Sequence, residues 1–176
     1  MEDAIQFVFA TFPSWSHLVV RLVLGIIFFA HGAQKVFGWF GGPGLSQTIA
    51  GFRQMGIPPA ATVVAAFIEC FGGLAMIVGF LARPAAVGLI VVMLVAISKV
   101  HVRHGLFINW MMTPGKGHGY ELNLALIAMA LSILIGGGGM LSVARLIAPL
   151  GVHDKERDIY KPMMFTSAQE SAEAMD

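Results

Sequence analysis

Residues 60–102, AATVVAAFIECFGGLAMIVGFLARPAAVGLIVVMLVAISKVHV, decide the fold. A membrane helix needs about 20 mostly apolar residues, because each residue rises about 1.5 Å and the hydrocarbon layer is about 30 Å thick. This stretch holds two such runs, Ala60 to Leu81 and Pro84 to about Val102, separated only by Ala82-Arg83-Pro84. So short a connection forces an antiparallel hairpin, and Pro84 suits the first turn of the second helix.

Two further runs flank the hairpin, Leu18 to Gly38 before it and Tyr120 to about Gly138 after it. The expected fold is therefore all-α, a transmembrane four-helix bundle over residues 18–141. An N-terminal interfacial segment, 1–17, precedes it. Residues 142–176 follow as a short amphipathic stretch through Val143, Leu146 and Ile147 and a polar tail from His153. The connections 39–59 and 103–119 are long and rich in Gly and Pro, and no internal repeat is present. Glu2 and Asp3 precede the first Arg, so the first span lacks the positive n-region of a cleaved signal and is expected to be retained.

Composition agrees with a bilayer as solvent: 57% of the 176 residues are hydrophobic and 12% charged, against about 25% charged in soluble proteins. The formal charge of +1 gives no basic excess for a phosphate backbone, so no nucleic-acid partner is expected. The single cysteine, Cys70, excludes an intramolecular disulfide, a CxxC couple and a Cys-rich zinc site.

Four spans put both termini on one side, with Arg83, Arg145, Lys155, Arg157 and Lys161; the other side holds Arg53, Arg103 and Lys116, with Lys35 and Lys99 near helix ends. The count is nearly even; cytoplasmic termini in a bacterial or archaeal cell membrane are expected because the short Arg83 loop and the basic positions 145 to 161 share their side. Trp15 at one boundary, and Trp39, Phe40 and Trp110 at the other, suit interfacial belts.

At about 100° per residue each span shows a stripe of small residues carrying an ionisable one. The stripes read Arg21, Gly25, Phe28, Gly32 and Lys35; Thr62, Ala65, Glu69, Gly72, Gly73 and Met76; Ala85, Gly88, Val92, Ala96 and Lys99; and Glu121, Ala125, Ala128, Ser132 and Gly136. Small residues let membrane helices approach closely, so the stripes should face inward. Successive helices alternate direction, so His31, Lys35, Glu69, Lys99, His101 and Glu121 should share the half of the bundle remote from the termini. Glu69 lies too deep to snorkel, and an unpaired carboxylate there would take up a proton, so a partner is expected, Lys35 or His31. Structural pairing and a functional site are both open readings of it.

Other candidates have plainer explanations. Arg21 near a helix start is expected to snorkel as an anchor. His101 and His104, at i and i+3, have metal-ligand spacing but read as solvated loop residues. His31 with His101 is the pair at suitable depth for haem ligation, and neither a bound metal nor a haem is expected. Cys70 points away from Glu69 and reads as packing. Pro114 to Gly119 lacks P-loop spacing and reads as a turn.

These residues resemble the DoxX family of small four-helix bacterial and archaeal membrane proteins. The matching pieces are Arg21-x3-Gly25, His31-Gly32-x2-Lys35-x-Phe37-Gly38, Gly56-x-Pro58, Glu69-x2-Gly72-Gly73, Gly79-x3-Arg83, His101 to Phe107, and Gly119-Tyr120-Glu121, spread over about residues 17–142. The resemblance implies association with quinone-linked sulfur oxidation, a related protein being like the membrane subunit of a thiosulfate:quinone oxidoreductase, or with membrane oxidoreductase assemblies that handle oxidative stress. The sequence departs from the family after Ser142, where Ala144 stands in place of an acidic residue, and in its tail from His153.

Two functions follow as expectations. One is a membrane subunit of a quinone-linked oxidoreductase, with His31, Lys35, Glu69 and Glu121 in catalytic roles and His31, Lys99, His101 and Tyr120 binding a quinone. The other is a non-catalytic accessory subunit on a larger respiratory or photosynthetic complex, its charges holding helices in register. Permeation of a proton or small solute is a third class that nothing in the sequence specifies. The expected partners are the lipid bilayer, other membrane subunits and a quinone. No complete ligand set for a redox cofactor is present, which favours a subunit over a free-standing enzyme.

Overall fold

The computed structural model describes residues 13–147. Residues 1–12, and the polar tail from His153, lie outside that range. Helix α1, Trp15–Phe37, opens on Ser14, whose hydroxyl accepts the His17 N–H, and closes on Gly38 at φ 73°. Helix α2 is Gly44–Gln54, and α3, Pro59–Val78, begins on a proline and stops at Gly79 at φ 74°. Helix α4, Ala82–Ala96, runs on through a π turn, Ile97–His101, and a 3-10 turn, Val102–His104. Helix α5 is Glu121–Gly136, and α6 is the single turn Val143–Ile147.

The all-α membrane bundle stands, with two corrections. Among the described residues, three segments are long and apolar enough to cross a membrane: α1, α3 and Ala82–His104, of 23, 20 and 23 residues. The fourth expected span, Tyr120 to Gly138, shrinks to the 16 residues of α5, about 24 Å at 1.5 Å per residue. Both its ends are set by the backbone. The Tyr120 N–H donates to Gly105 O, drawing that residue into the loop, and Gly137 at φ 76° ends the helix. The second correction is α2, which occupies the middle of the expected 39–59 loop. Its Thr48 hydroxyl donates to Gly44 O at 2.7 Å and its body rests on α1 and α3.

Lipid tails are as apolar as leucine, so helices in a bilayer associate through close packing and hydrogen bonds rather than hydrophobic burial. The two helix pairs do this differently. Helix α1 packs most extensively on α3, through glycine: a Cβ on Gly25 would stand 2.9 Å from Gly73 O, one on Gly32 would strike the Cys70 backbone, and one on Gly73 the Phe29 backbone. The buried faces, Arg21, Gly25, Phe28 and Gly32 on α1 and Thr62, Glu69, Gly73 and Met76 on α3, reproduce the expected stripes. Helix α4 instead meets α5 through large side chains, Leu89 and Met93 against Leu126 and Ile133. There the stripes are corrected: α4 buries Ala82, Arg83, Ala86, Leu89, Val92 and Met93, while on α5 Ala125 and Ala128 are exposed and Asn123, Leu126, Ala130 and Ile133 are inside. The outer faces, with Val19, Ile26, Phe67, Phe71, Leu94 and Leu131 exposed, are apolar, as contact with a bilayer requires.

The two pairs are joined at the end where residues 13 and 147 lie. Met140 N–H donates to Ser14 O and Ala144 N–H to Gly79 O. Arg21, expected to snorkel, is instead buried there. Its guanidinium donates to Met76 O at 2.6 Å, Ile77 O at 2.8 Å and Leu141 O at 3.3 Å. Met76 O, which also takes the Gly79 N–H at 3.2 Å, and Ile77 O lie in the last turn of α3, at the negative end of its dipole, so a planar cation with several donors is held more strongly there than at the interface. Arg83 similarly donates to Ile135 O at 2.9 Å, tying α4 to α5.

Candidate functional site

At the opposite end the pairs separate, and a cavity of about 720 Å³ lies between them. One wall is α1 and α3, with Ile27, Phe28, His31 and Lys35 facing Ala61 to Glu69; the other is α4 with its π turn and the start of α5, from Val91 to His101 and from Leu122 to Leu126. Phe52, Met55 and Ile57 from the α2 end and Ile108, His118 and Gly119 from the long loop complete it. The lining is mainly apolar. Its polar side chains are His31, Lys35, Glu69, His101, His118 and Asn123.

The expected partner of Glu69 is present. The Lys35 ammonium donates to both carboxylate oxygens of Glu69, and Glu69 is almost fully buried while Lys35 is 23% exposed. A carboxylate at that depth requires such compensation, since the surroundings offer no water. Lys35 also lies 5.7 Å from the centre of the Phe52 ring, so α2 covers one side of the pair with a cation–π contact. Two of the three ammonium donors serve Glu69, and the third has no acceptor among the described residues. His31, one turn before Lys35, is exposed to the cavity and makes no hydrogen bond to a described residue.

Across the cavity, Nδ1 of His101 is 2.9 Å from His118 O. A carbonyl only accepts, so Nδ1 is the donor in this bond and Nε2 is not used by it. The π turn sets this arrangement: Val102 N–H donates to Ile97 O, and the extra residue in the turn shifts the helix register. His101 and Val100 therefore line the cavity, and Lys99, placed inward by a uniform 100° step, is exposed and outside its lining.

Glu121 and Tyr120 also stand outside the lining. The Glu121 carboxylate accepts the Ile108 N–H at 3.0 Å while its own N–H donates to Leu106 O, so it fastens the loop to the first turn of α5. Of the sequence candidates, the cavity thus assembles His31, Lys35, Glu69 and His101. His104 packs against Gly117, and Cys70 has its backbone against Gly32, a packing position. Among the described residues no three His, Cys, Asp or Glu side chains are grouped to hold a metal ion.

Asn123, His118 and Phe52 also line the cavity, and the sequence did not single them out for the site. Asn123 is buried and its amide N–H2 lies 3.3 Å from Met93 Sδ. An asparagine inside an apolar run was a legible signal. His118 and Phe52 were not, because their positions depend on how the two loops fold back.

Residues 16–102 match the family model described as DoxX. The match covers α1 to α4 and the wall bearing Lys35 and Glu69, and stops before α5. The "Putative oxidoreductase CatD" of Bacillus subtilis (strain 168) is 34% identical over 86 residues, 49% of this chain and 60% of that relative's length. No solved structure matches significantly.

Proposed function

The chain carries a DoxX domain, and from that premise we propose that it is an integral membrane subunit of a quinone-linked oxidoreductase assembly, the cavity being the quinone site. The observation that carries this is a charged pair, Lys35 and Glu69, at the wall of a large apolar cavity. Sites for small molecules combine mostly apolar walls with a few placed polar groups. The residues fit a flat headgroup with two carbonyls: His31 and the third Lys35 N–H are donors on one wall, and Asn123 and His101 stand on the other. A quinone held there supplies two-electron, two-proton redox chemistry, with electrons brought by a partner subunit or a diffusible carrier. Glu69 holds Lys35 in place through both carboxylate oxygens, while His31 is the exchangeable proton donor on that wall. His101 takes or gives a proton at Nε2 while Nδ1 stays on the His118 carbonyl. The name of the Bacillus subtilis relative points to redox function in that protein, which supports this reading.

The orientation with both termini cytoplasmic belongs to this proposal. Cysteine introduced at Ser14 should resist an impermeant thiol reagent in intact cells, and labelling there inverts the bundle.

The test is quinone binding by the full chain in lipid nanodiscs. Wild type should bind a ubiquinone or menaquinone analogue saturably, and His31→Leu should weaken it at least about tenfold, or ~1.4 kcal/mol. A folded wild-type chain that binds neither analogue overturns the proposal. One feature favours a second reading, an accessory subunit: Lys35–Glu69 bridges the tightly packed α1/α3 pair, as a structural lock would. Isolation with a large complex whose turnover ignores His31→Leu would support it.

A further inference from the structure

The cavity has two seams to the outside, because the helix pairs diverge along both edges. Along the α1/α5 edge the lining carries His31 and Asn123. Along the α3/α4 edge it is wholly apolar. These two helices touch near their hairpin turn, where a Cβ on Gly72 would stand 3.4 Å from Leu89 and one on Gly88 would stand 3.0 Å from Ile68. Beyond those contacts Val64 on α3 and Val91 and Val95 on α4 line the cavity. The same three side chains are 57%, 51% and 43% exposed, and at helical spacing they continue the exposed faces of Phe67 and Phe71 on α3 and of Val87 on α4, none of which lines the cavity. A side chain that is both cavity wall and outer surface stands at a mouth.

We infer that the α3/α4 seam is a lateral portal to the bilayer, through which an apolar chain passes, so that the cavity takes a lipid-soluble amphiphile with its head against Lys35 and Glu69 and its tail between Val64, Val91 and Val95. This rests on the proposed quinone site for the identity of the head, and on the seam alone for the tail. Size supports the division. A cavity of about 150 Å³ already holds a benzene ring, and this one is about 720 Å³, leaving most of its space for something besides a ring. Wall chemistry supports it too. Phe52, Met55, Ile57 and Ile108 line the loop end together with His118, whereas the seam between Val64, Val91 and Val95 offers apolar side chains alone, so a hydrocarbon tail leaves through it without desolvating a polar group. The tail then remains in the bilayer and the head reaches the polar groups.

The test uses the full chain in nanodiscs and a benzoquinone bearing a saturated alkyl tail that ends in a diazirine, with the same tail lacking the ring as a second probe. After photolysis, peptide mapping should place label on Val64, Val91 and Val95 about tenfold above Ile26 and Leu131, which are exposed on other outer faces. Tailless benzoquinone should compete this label away, and Val64→Trp with Val91→Trp should remove the enrichment. Shielding of the buried Cys70 from a thiol dye reports that the variant is folded. Label spread evenly over the outer faces overturns the portal, even where the tailless ring binds and the quinone site survives. Seam label with both probes, untouched by the tailless ring, keeps the portal and rejects the quinone. No enrichment and no ring binding reject both.

Discussion

The two ends of the bundle treat buried charge in opposite ways. At the joined end, Arg21 directs its terminal nitrogens to backbone carbonyls of α3 and of the segment after α5, and glycines bring backbone against backbone. At the separated end, Lys35 and Glu69 neutralise one another, yet beside them His31 has no partner among the described residues and the helices leave a cavity. An ion that binds the chain's own backbone on several sides is a fastening. A pair with unused donors at a cavity wall retains the capacity to bind something else. Arg21 and Glu69 are both almost fully buried, so burial of an ionisable group does not by itself separate structure from function.

The contrast is broken most severely at the joined end. Arg21→Met should remove three charge-assisted hydrogen bonds, each worth roughly 1.5–3 kcal/mol, and leave the carbonyls of Met76, Ile77 and Leu141 without that donor. A loss above about 4 kcal/mol, with little folded chain recovered, is expected. Reaction of Cys70 with a thiol dye on heating is the measurement, because this single cysteine is buried in the α1/α3 contact. A melting temperature within a few degrees of wild type would show that Arg21 is no fastening.

Gly32→Ala comes next, at about 3 kcal/mol, the upper part of the overpacking range, since the new methyl meets the Cys70 backbone, which cannot rotate away. Gly51→Ala on α2 is the control. Nothing lies within 4 Å of its Cβ position, so it should be neutral or stabilising by up to about 1 kcal/mol. Equal melting temperatures for the two variants would remove glycine packing from the account of α1 and α3.

These residues also mark what was legible in the sequence. On α1 and α3 the small-residue stripe predicted the buried face and the Glu69 partner, because glycine contact needs only the 3.6-residue period to be read. On α5 the same rule chose Ala125 and Ala128, which face outward, because that interface is filled by Leu126 and Ile133 and their bulk carries no such mark. Lys99 was misplaced by the π turn, a local change of period that no residue there announces. Arg21 was read as an anchor because a one-dimensional depth argument places it near the membrane surface. The carbonyls that hold it come from a helix more than fifty residues away in sequence.

At the separated end the effect on stability should be smaller and the effect on binding larger. Glu69→Leu leaves Lys35 without its anion, at roughly 1.5–3 kcal/mol, and Glu69→Gln keeps an acceptor and should lose less. The double variant Lys35→Met with Glu69→Leu removes both charges, so it should recover most of the stability. Quinone binding should remain absent in it. Recovery of binding along with stability would make the pair a lock of the same kind as Arg21, and the contrast between the ends would disappear.

The smallest expected effect belongs to Glu121, the candidate that the fold separated from the others. Its carboxylate accepts one backbone N–H, that of Ile108, and its charge lies in the first turn of α5. Glu121→Gln keeps the acceptor and removes only a charge near a helix N-terminus, a change of about 0.3–1 kcal/mol. Glu121→Leu should lose the hydrogen bond as well and loosen residues 105–121, seen as faster amide exchange at Ile108 with little change at Asn123. Quinone affinity should be unchanged in Glu121→Gln, because the carboxylate is outside the cavity lining. A tenfold loss of affinity in that variant, with Ile108 exchange unaltered, would mean that the loop moves on binding and brings Glu121 to the head, extending the site to the residue that the resting fold assigns to the loop.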